Sequence, residues 1–143
     1  MPLEKSAGAL LFHKNKNIEY LLLHYPPGSK TAKEYWDLPK GHIEKGEKEI
    51  DTARREVAEE TGIQDIEIIN GVKEHIKYFF RFRGETIFKT VTFYLAKTKT
   101  KDVKISEEHI GYKWLPYDKA LKQLTFENAR GVLRKAHQYL EKQ

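Results

Sequence analysis

"GHIEKGEKEIDTARREVAEETGI", residues 41–63, crowds seven acids and four bases into 23 positions. Glu56, Glu59 and Glu60 stand within one five-residue span. Residues 47–61 are predicted to be helical, and Gly62 is placed to end the helix with a left-handed cap. At about 100° per residue, Ile50, Ala53 and Val57 share the packing side, with the three glutamates roughly 90° away and Glu49 and Thr52 beside them. Helix positions three and four apart are neighbours, so Glu56 faces both Glu59 and Glu60, and each like-charge pair costs about 0.2–0.5 kcal/mol. Asp51 is spaced to pair with Arg55, while the glutamates have no lysine or arginine on their own face. Two readings follow: a solvated acidic face, or a divalent-cation site. Hard cations take oxygen ligands from convergent carboxylates, commonly together with substrate phosphates.

The surrounding chain is basic. Its net charge is +5 and the acidic stretch carries −3, which leaves +8 for the other 120 residues. A basic frame favours anionic partners: nucleotides, nucleic acid or phosphorylated metabolites. The absence of cysteine rules out disulfides and thiolate metal sites. The length of 143 residues with 39% hydrophobic content fits one domain with a packed core. We read no signal peptide and no apolar run of about 20 residues, so a soluble, cytoplasmic protein is expected, with a monomer favoured.

"AGALLF" (7–12) and "IEYLLLHY" (18–25) read as strands joined by a polar hairpin. "PPGSKTAKE" (26–34) reads as an exposed loop, and "YWDLPKGH" as a short extended piece. "IEII" (66–69), "KEHIKYFFRF" (73–82) and "TIFKTVTFYLAK" (86–97) read as three strands, the last two turned by "RGE". Residues 112–124 read as a strand end and a short helix. An amphipathic helix closes the chain, with Val132, Leu133, Ala136 and Leu140 on one stripe. The order predicts an α+β, three-layer α/β/α sandwich with a mixed sheet between helices, a single domain over 1–143.

Gly41, Glu47, Arg55, Glu56, Val57, Glu59, Glu60, Gly62 and Ile63 fit the pattern G-x5-E-x7-R-E-U-x-E-E-x-G-U, U being a bulky aliphatic residue, without a mismatch. A chance fit is on the order of one in a hundred million per window at typical residue frequencies. The chain thus resembles the Nudix hydrolases, which cleave diphosphate linkages in nucleoside diphosphates attached to another group. "WDLPKGHIEKGE", "KTVTFYLAK", "SEEHIGYKWL" and "FENARGVLRKAHQYL" resemble the branch of asymmetrical diadenosine tetraphosphate hydrolases.

The resemblance implies Glu56, Glu59, Glu60 and Glu108 as metal ligands for magnesium, with manganese a possible substitute, and Glu44 as an assistant. It implies catalytic roles for Glu59 or Glu60 as base and for Arg55, which holds a glutamate in place by ion pairing, with Glu47 as its structural partner, and Gly41 and Gly62 shape the loops. Lys40, His42 and Lys89 would follow the polyphosphate, joined by Arg81 or Arg83. Tyr78 and Phe126 would stack on adenine, helped by Tyr35. Trp36 and Trp114 are expected in the core. His13, His24, His75, His109 and His137 are expected to be structural. The implied reaction takes diadenosine tetraphosphate and water to ATP and AMP. The alternatives are removal of diphosphate from RNA 5′ ends, trimming of diphosphoinositol polyphosphates, or a nucleotide-binding module without catalysis. Nucleic acid is a partner only under the RNA alternative, and a membrane is none.

Overall fold

The computed structural model describes residues 2–28 and 32–143, so Ser29, Lys30 and Thr31 of the expected loop lie outside the described residues. Among the described residues, seven strands form one sheet with three helices around it. The first hairpin forms as expected: β1 (Leu3–Lys14) pairs antiparallel with β2 (Ile18–Tyr25) in the register Phe12 to Tyr20. "YWDLPKGH" makes two three-residue strands. β3 (Tyr35–Asp37) pairs with β2, and β4 (Lys40–His42) pairs with the first half of β1.

The helix α1 runs Glu49–Thr61, two residues shorter at its start than the sequence suggests. Glu47 stays outside it, and its carboxylate accepts from the Glu44 N–H and the Thr52 hydroxyl. Gly62 ends the helix at φ +75°, its N–H donating to the Ala58 carbonyl, a conformation strained for any residue with a Cβ.

The expected strands 66–69 and 73–82 are one strand, β5 (Ile66–Phe82), with a register irregularity between Ile68 and Lys73. The Gly71 backbone at φ +98° lies against Tyr139, whose hydroxyl donates to the Asn70 carbonyl at 2.8 Å. β6 (Glu85–Thr98) returns antiparallel through Arg83 and Gly84, both at positive φ, the geometry of a tight primed turn. β6 also lies parallel to β1 with Ala9 beside Tyr94, and this makes the sheet mixed. β7 (Gly111–Pro116) pairs with β2 and leads into α2 (Tyr117–Gln123) and α3 (Glu127–Glu141).

Strand alternation sorts the core into two layers. Leu10, Leu22, Val91, Phe93 and Leu95 point to the face covered by Ala120, Leu124, Val132, Leu133 and Ala136 of the last two helices and their link. Ala9, Leu11, Leu21 and Leu23 point to the other face, against Val57 of α1 and Ile63. Leu140 packs at the edge of the first layer. Trp36 and Trp114 are half-buried at the core margin rather than inside it; Trp36 stacks on His24 at 4.2 Å, and the Trp114 indole N–H donates to the Lys101 carbonyl. No helix among the described residues is long and apolar enough to cross a membrane.

Candidate active site

The positive charge that the helix wheel does not place on the glutamates' own face comes from Arg55, which reaches two of them. Its Nε and Nη2 donate to the two oxygens of Glu47 at 2.8 and 3.0 Å. Nη2 also donates to the His42 carbonyl at 3.0 Å. Nη1 donates to Glu56 Oε1 at 2.8 Å and to the Glu59 carboxylate at 3.3 Å. Asp51 is exposed and forms none of these bonds, so the expected Asp51–Arg55 pair is replaced by the Glu47–Arg55 one. The guanidinium fork suits a bidentate carboxylate, and Glu47, in the loop ahead of the helix, engages it with both oxygens. Hydrogen bonds from Arg55, then from Thr52 and the Glu44 N–H, hold the Glu47 carboxyl down at about 2. Glu49, expected beside the cluster, turns to the sheet, where it accepts from the Thr92 hydroxyl and pairs with Lys73.

Gly41 earns its place by close approach. A Cβ there would fall 2.0 Å from the Glu56 carboxyl carbon, so only glycine lets that carboxylate lie against β4. Glu60, four residues on, is 4% exposed, with Oε1 accepting from the Tyr25 hydroxyl at 3.3 Å. Burial pushes the Glu56 carboxyl up to about 7, with the adjoining Glu60 adding to the rise. Burial likewise pushes Glu60 up to about 7. Two neighbouring carboxyls in a half-dry site resist ionising together without an added positive charge.

A cavity of about 690 Å³ opens above these groups, lined by Tyr25, Lys40, Gly41, His42, Glu56, Glu59, Glu60, Lys89, Ser106, Glu107 and Glu108. All four acids inferred from the sequence therefore face one space. They are not equally drawn together: Glu56 and Glu60 adjoin, Glu59 is 57% exposed and turned toward Arg55, and Glu108 stands exposed on the loop after Ile105. Among the described residues no three acidic or histidine side chains are already closed into a ligand set. The donor set is nonetheless made of carboxylate oxygens, and Glu60 Oε2 is buried with no hydrogen-bond partner. These residues fit a hard divalent cation.

Lys40 stands between this space and a second, apolar cavity of about 650 Å³ lined by Tyr35, Ile76, Tyr78, Phe126 and Ala129 among others. Its ammonium donates to Asp37 at 2.9 Å; burial alone would lower its pKa, and Asp37 reverses the shift. Burial lowers the Lys89 pKa, and Lys40 nearby adds to that. His42 sits at the rim, 3.2 Å from Glu4. The Tyr35 ring stacks on Tyr25 at 4.9 Å and meets Phe126 at 5.4 Å. Arg81 and Arg83, in contrast, stay at the hairpin: Arg81 donates to Thr86 and to the Gly84 carbonyl, and Arg83 lies over Phe82. Neither lines a cavity described above. Glu44 is exposed and 3.5 Å from Arg55.

Three site residues escape a reading of the sequence. Tyr25 ends a strand, Asp37 is one acid among many, and His109 reads as structural. The structure buries His109 to 5% exposure with Nε2 at 3.1 Å from Glu60 Oε1. A histidine directly after Glu108 is the one available hint. His13, His75 and His137 satisfy Nδ1 on Thr98, Thr92 and Tyr20, as structural histidines do, and His24 pairs with Glu34.

Comparison with known proteins fits this geometry. The asymmetrical bis(5′-nucleosyl)-tetraphosphatase of Rattus norvegicus is 35% identical over 147 residues, covering 95% of each chain. The enzyme of the same name from Caenorhabditis elegans is 34% identical over 140 residues, covering 95% of this chain and 96% of that one. A crystal structure of a C. elegans Ap4A hydrolase binary complex superposes with a TM-score of 0.82 at 31% identity, covering 98% of this chain and 99% of that one. Residues 2–136 match the NUDIX domain, and the chain belongs to the Nudix hydrolases.

Proposed function

We propose that the protein hydrolyses dinucleoside polyphosphates, taking diadenosine tetraphosphate and water to ATP and AMP with the help of a divalent cation. The observation that carries this reading is the junction of two unlike cavities at Lys40: one acidic and lined by five glutamates, the other apolar and aromatic. A nucleoside base needs a flat apolar surface, which Tyr78, Phe126 and Tyr35 provide. A polyphosphate needs point charges, which Lys40 and Lys89 provide, with His42 at the rim. The similarity to asymmetrical tetraphosphatases over 95% of the chain supports the same substrate class.

Glu56, Glu59, Glu60 and Glu108 would hold magnesium, or manganese in its place. When bound, such an ion neutralises phosphate charge and lowers the pKa of a coordinated water. Arg55 fixes Glu56 and Glu59 relative to β4 through the His42 carbonyl, so the acids keep their spacing while the substrate enters. A carboxylate oxygen of Glu59 or Glu60 takes the proton of the attacking water, and Lys40 and Lys89 hold phosphate oxygens along the chain.

Incubation of the protein with magnesium and diadenosine tetraphosphate should yield ATP and AMP in equal amounts. Two ADP per substrate, or no turnover, would overturn the assignment. Replacement of Glu59 and of Glu60 by Gln, one at a time, separates the base from a ligand: the base variant keeps nucleotide and metal affinity while losing turnover.

A further inference from the structure

We infer that His109, fixed by Ser106, is a positioning residue that sets the rotation of the Glu60 carboxylate; this rests on the metal reading given above. His109 and Glu60 are 5% and 4% exposed and come from segments far apart in the chain. The Ser106 hydroxyl lies 2.9 Å from His109 Nδ1 and also accepts from the Glu108 N–H at 3.3 Å. Because Nε2 faces a carboxylate oxygen, Glu60 Oε1 at 3.1 Å, we assign the ring proton to Nε2, which leaves Nδ1 to accept from Ser106. The ring is also packed against Tyr25, centroid to centroid at 4.4 Å and 70°.

Glu60 is thereby bracketed on one oxygen. Oε1 meets both the Tyr25 hydroxyl and His109 Nε2, while Oε2 has no partner. The Nε2 contact is close without being aligned as a hydrogen bond, so Nε2 too is a buried polar atom without a full partner. Two such atoms side by side are costly in a finished interior. They make sense where the carboxylate is held at one oxygen so that the other is presented to an incoming ligand. The same histidine anchors the loop beneath Glu108: its N–H donates to the Ser106 carbonyl, and the next N–H to the His24 carbonyl. An outer partner of this kind orients a ligating carboxylate without touching the ion.

The test measures Mn²⁺ affinity of the nucleotide-free protein by electron paramagnetic resonance, with thermal unfolding as the control for folding. His109→Leu should bind Mn²⁺ about 10–100-fold more weakly, Ser106→Ala about 3–10-fold, and His109→Gln, which restores an N–H toward Glu60, within about threefold of the parent protein. In a Glu60→Gln background, His109→Leu should add no further loss. Retained affinity in both His109→Leu and Ser106→Ala, or an undiminished loss in the Glu60→Gln background, overturns the inference. Should His109→Leu fail to fold, Ser106→Ala and His109→Gln decide alone. If the parent protein binds no Mn²⁺, the metal reading falls and takes the inference with it. If Glu60→Gln weakens binding while the His109 and Ser106 variants do not, only the inference falls.

Discussion

Arg55 shows how much one side chain organises. Its fork joins the loop ahead of α1 to two acids on the helix, through bonds that need a planar guanidinium and not only a positive charge. Arg55→Lys should therefore lower turnover about 100-fold, equivalent to about 2.7 kcal/mol of barrier, while the protein remains folded; steady-state kinetics and a melting curve check both halves. Glu47 gives a pH prediction. Its folded value, about 2, lies below its ordinary 4.5, so its contribution to stability is full above pH 4.5 and is lost as pH falls toward 2. Melting curves across that window should show Glu47→Gln less stable than the parent at pH 6, with the gap closing as the acid limb is descended.

At the scale of elements, much was legible in the sequence because periodicity reports burial. β1, β2, β6 and α3 lie where their apolar alternation or stripe places them. The misreadings have physical causes. Glu47 is a good helix former, yet its carboxylate is worth more outside the helix, accepting from Arg55, Thr52 and the Glu44 N–H. Asn70 and Gly71 look like a break between strands, but the chain passes through them because Tyr139 supports the irregular backbone from α3. In the candidate site, the closeness of Glu56, Glu59 and Glu60 was readable because α1 spaces them; Asp37 beneath Lys40 and His109 beside Glu60 were not, since those contacts exist only after the loops fold over the sheet. Gly62 offers a clean test of an element boundary. Gly62→Ala places a Cβ at φ +75° and should cost about 1–2 kcal/mol, read from denaturant midpoints, with kcat changed less than stability.

Across the whole molecule, two unlike cavities meet at Lys40: the acidic one lies beside α1 and the apolar one toward α3. Base recognition and bond cleavage should consequently respond to different variants. Tyr78→Ala and Phe126→Ala should each raise KM for a dinucleoside polyphosphate by about 5–150-fold, the span of a lost stacking contact of about 1–3 kcal/mol, and leave kcat within about threefold; full saturation curves distinguish this from a loss of turnover.

The Arg55 fork has a consequence for how an anion is drawn in. A guanidinium has five N–H groups, and here they are directed at Glu47, Glu56, Glu59 and the His42 carbonyl. That cation is fully engaged by its own chain before any guest arrives. On the proposed function, attraction of an incoming polyphosphate would fall instead to Lys40, Lys89 and a divalent ion held by the acids, so turnover should fall off steeply as free divalent ions are depleted while the fold persists.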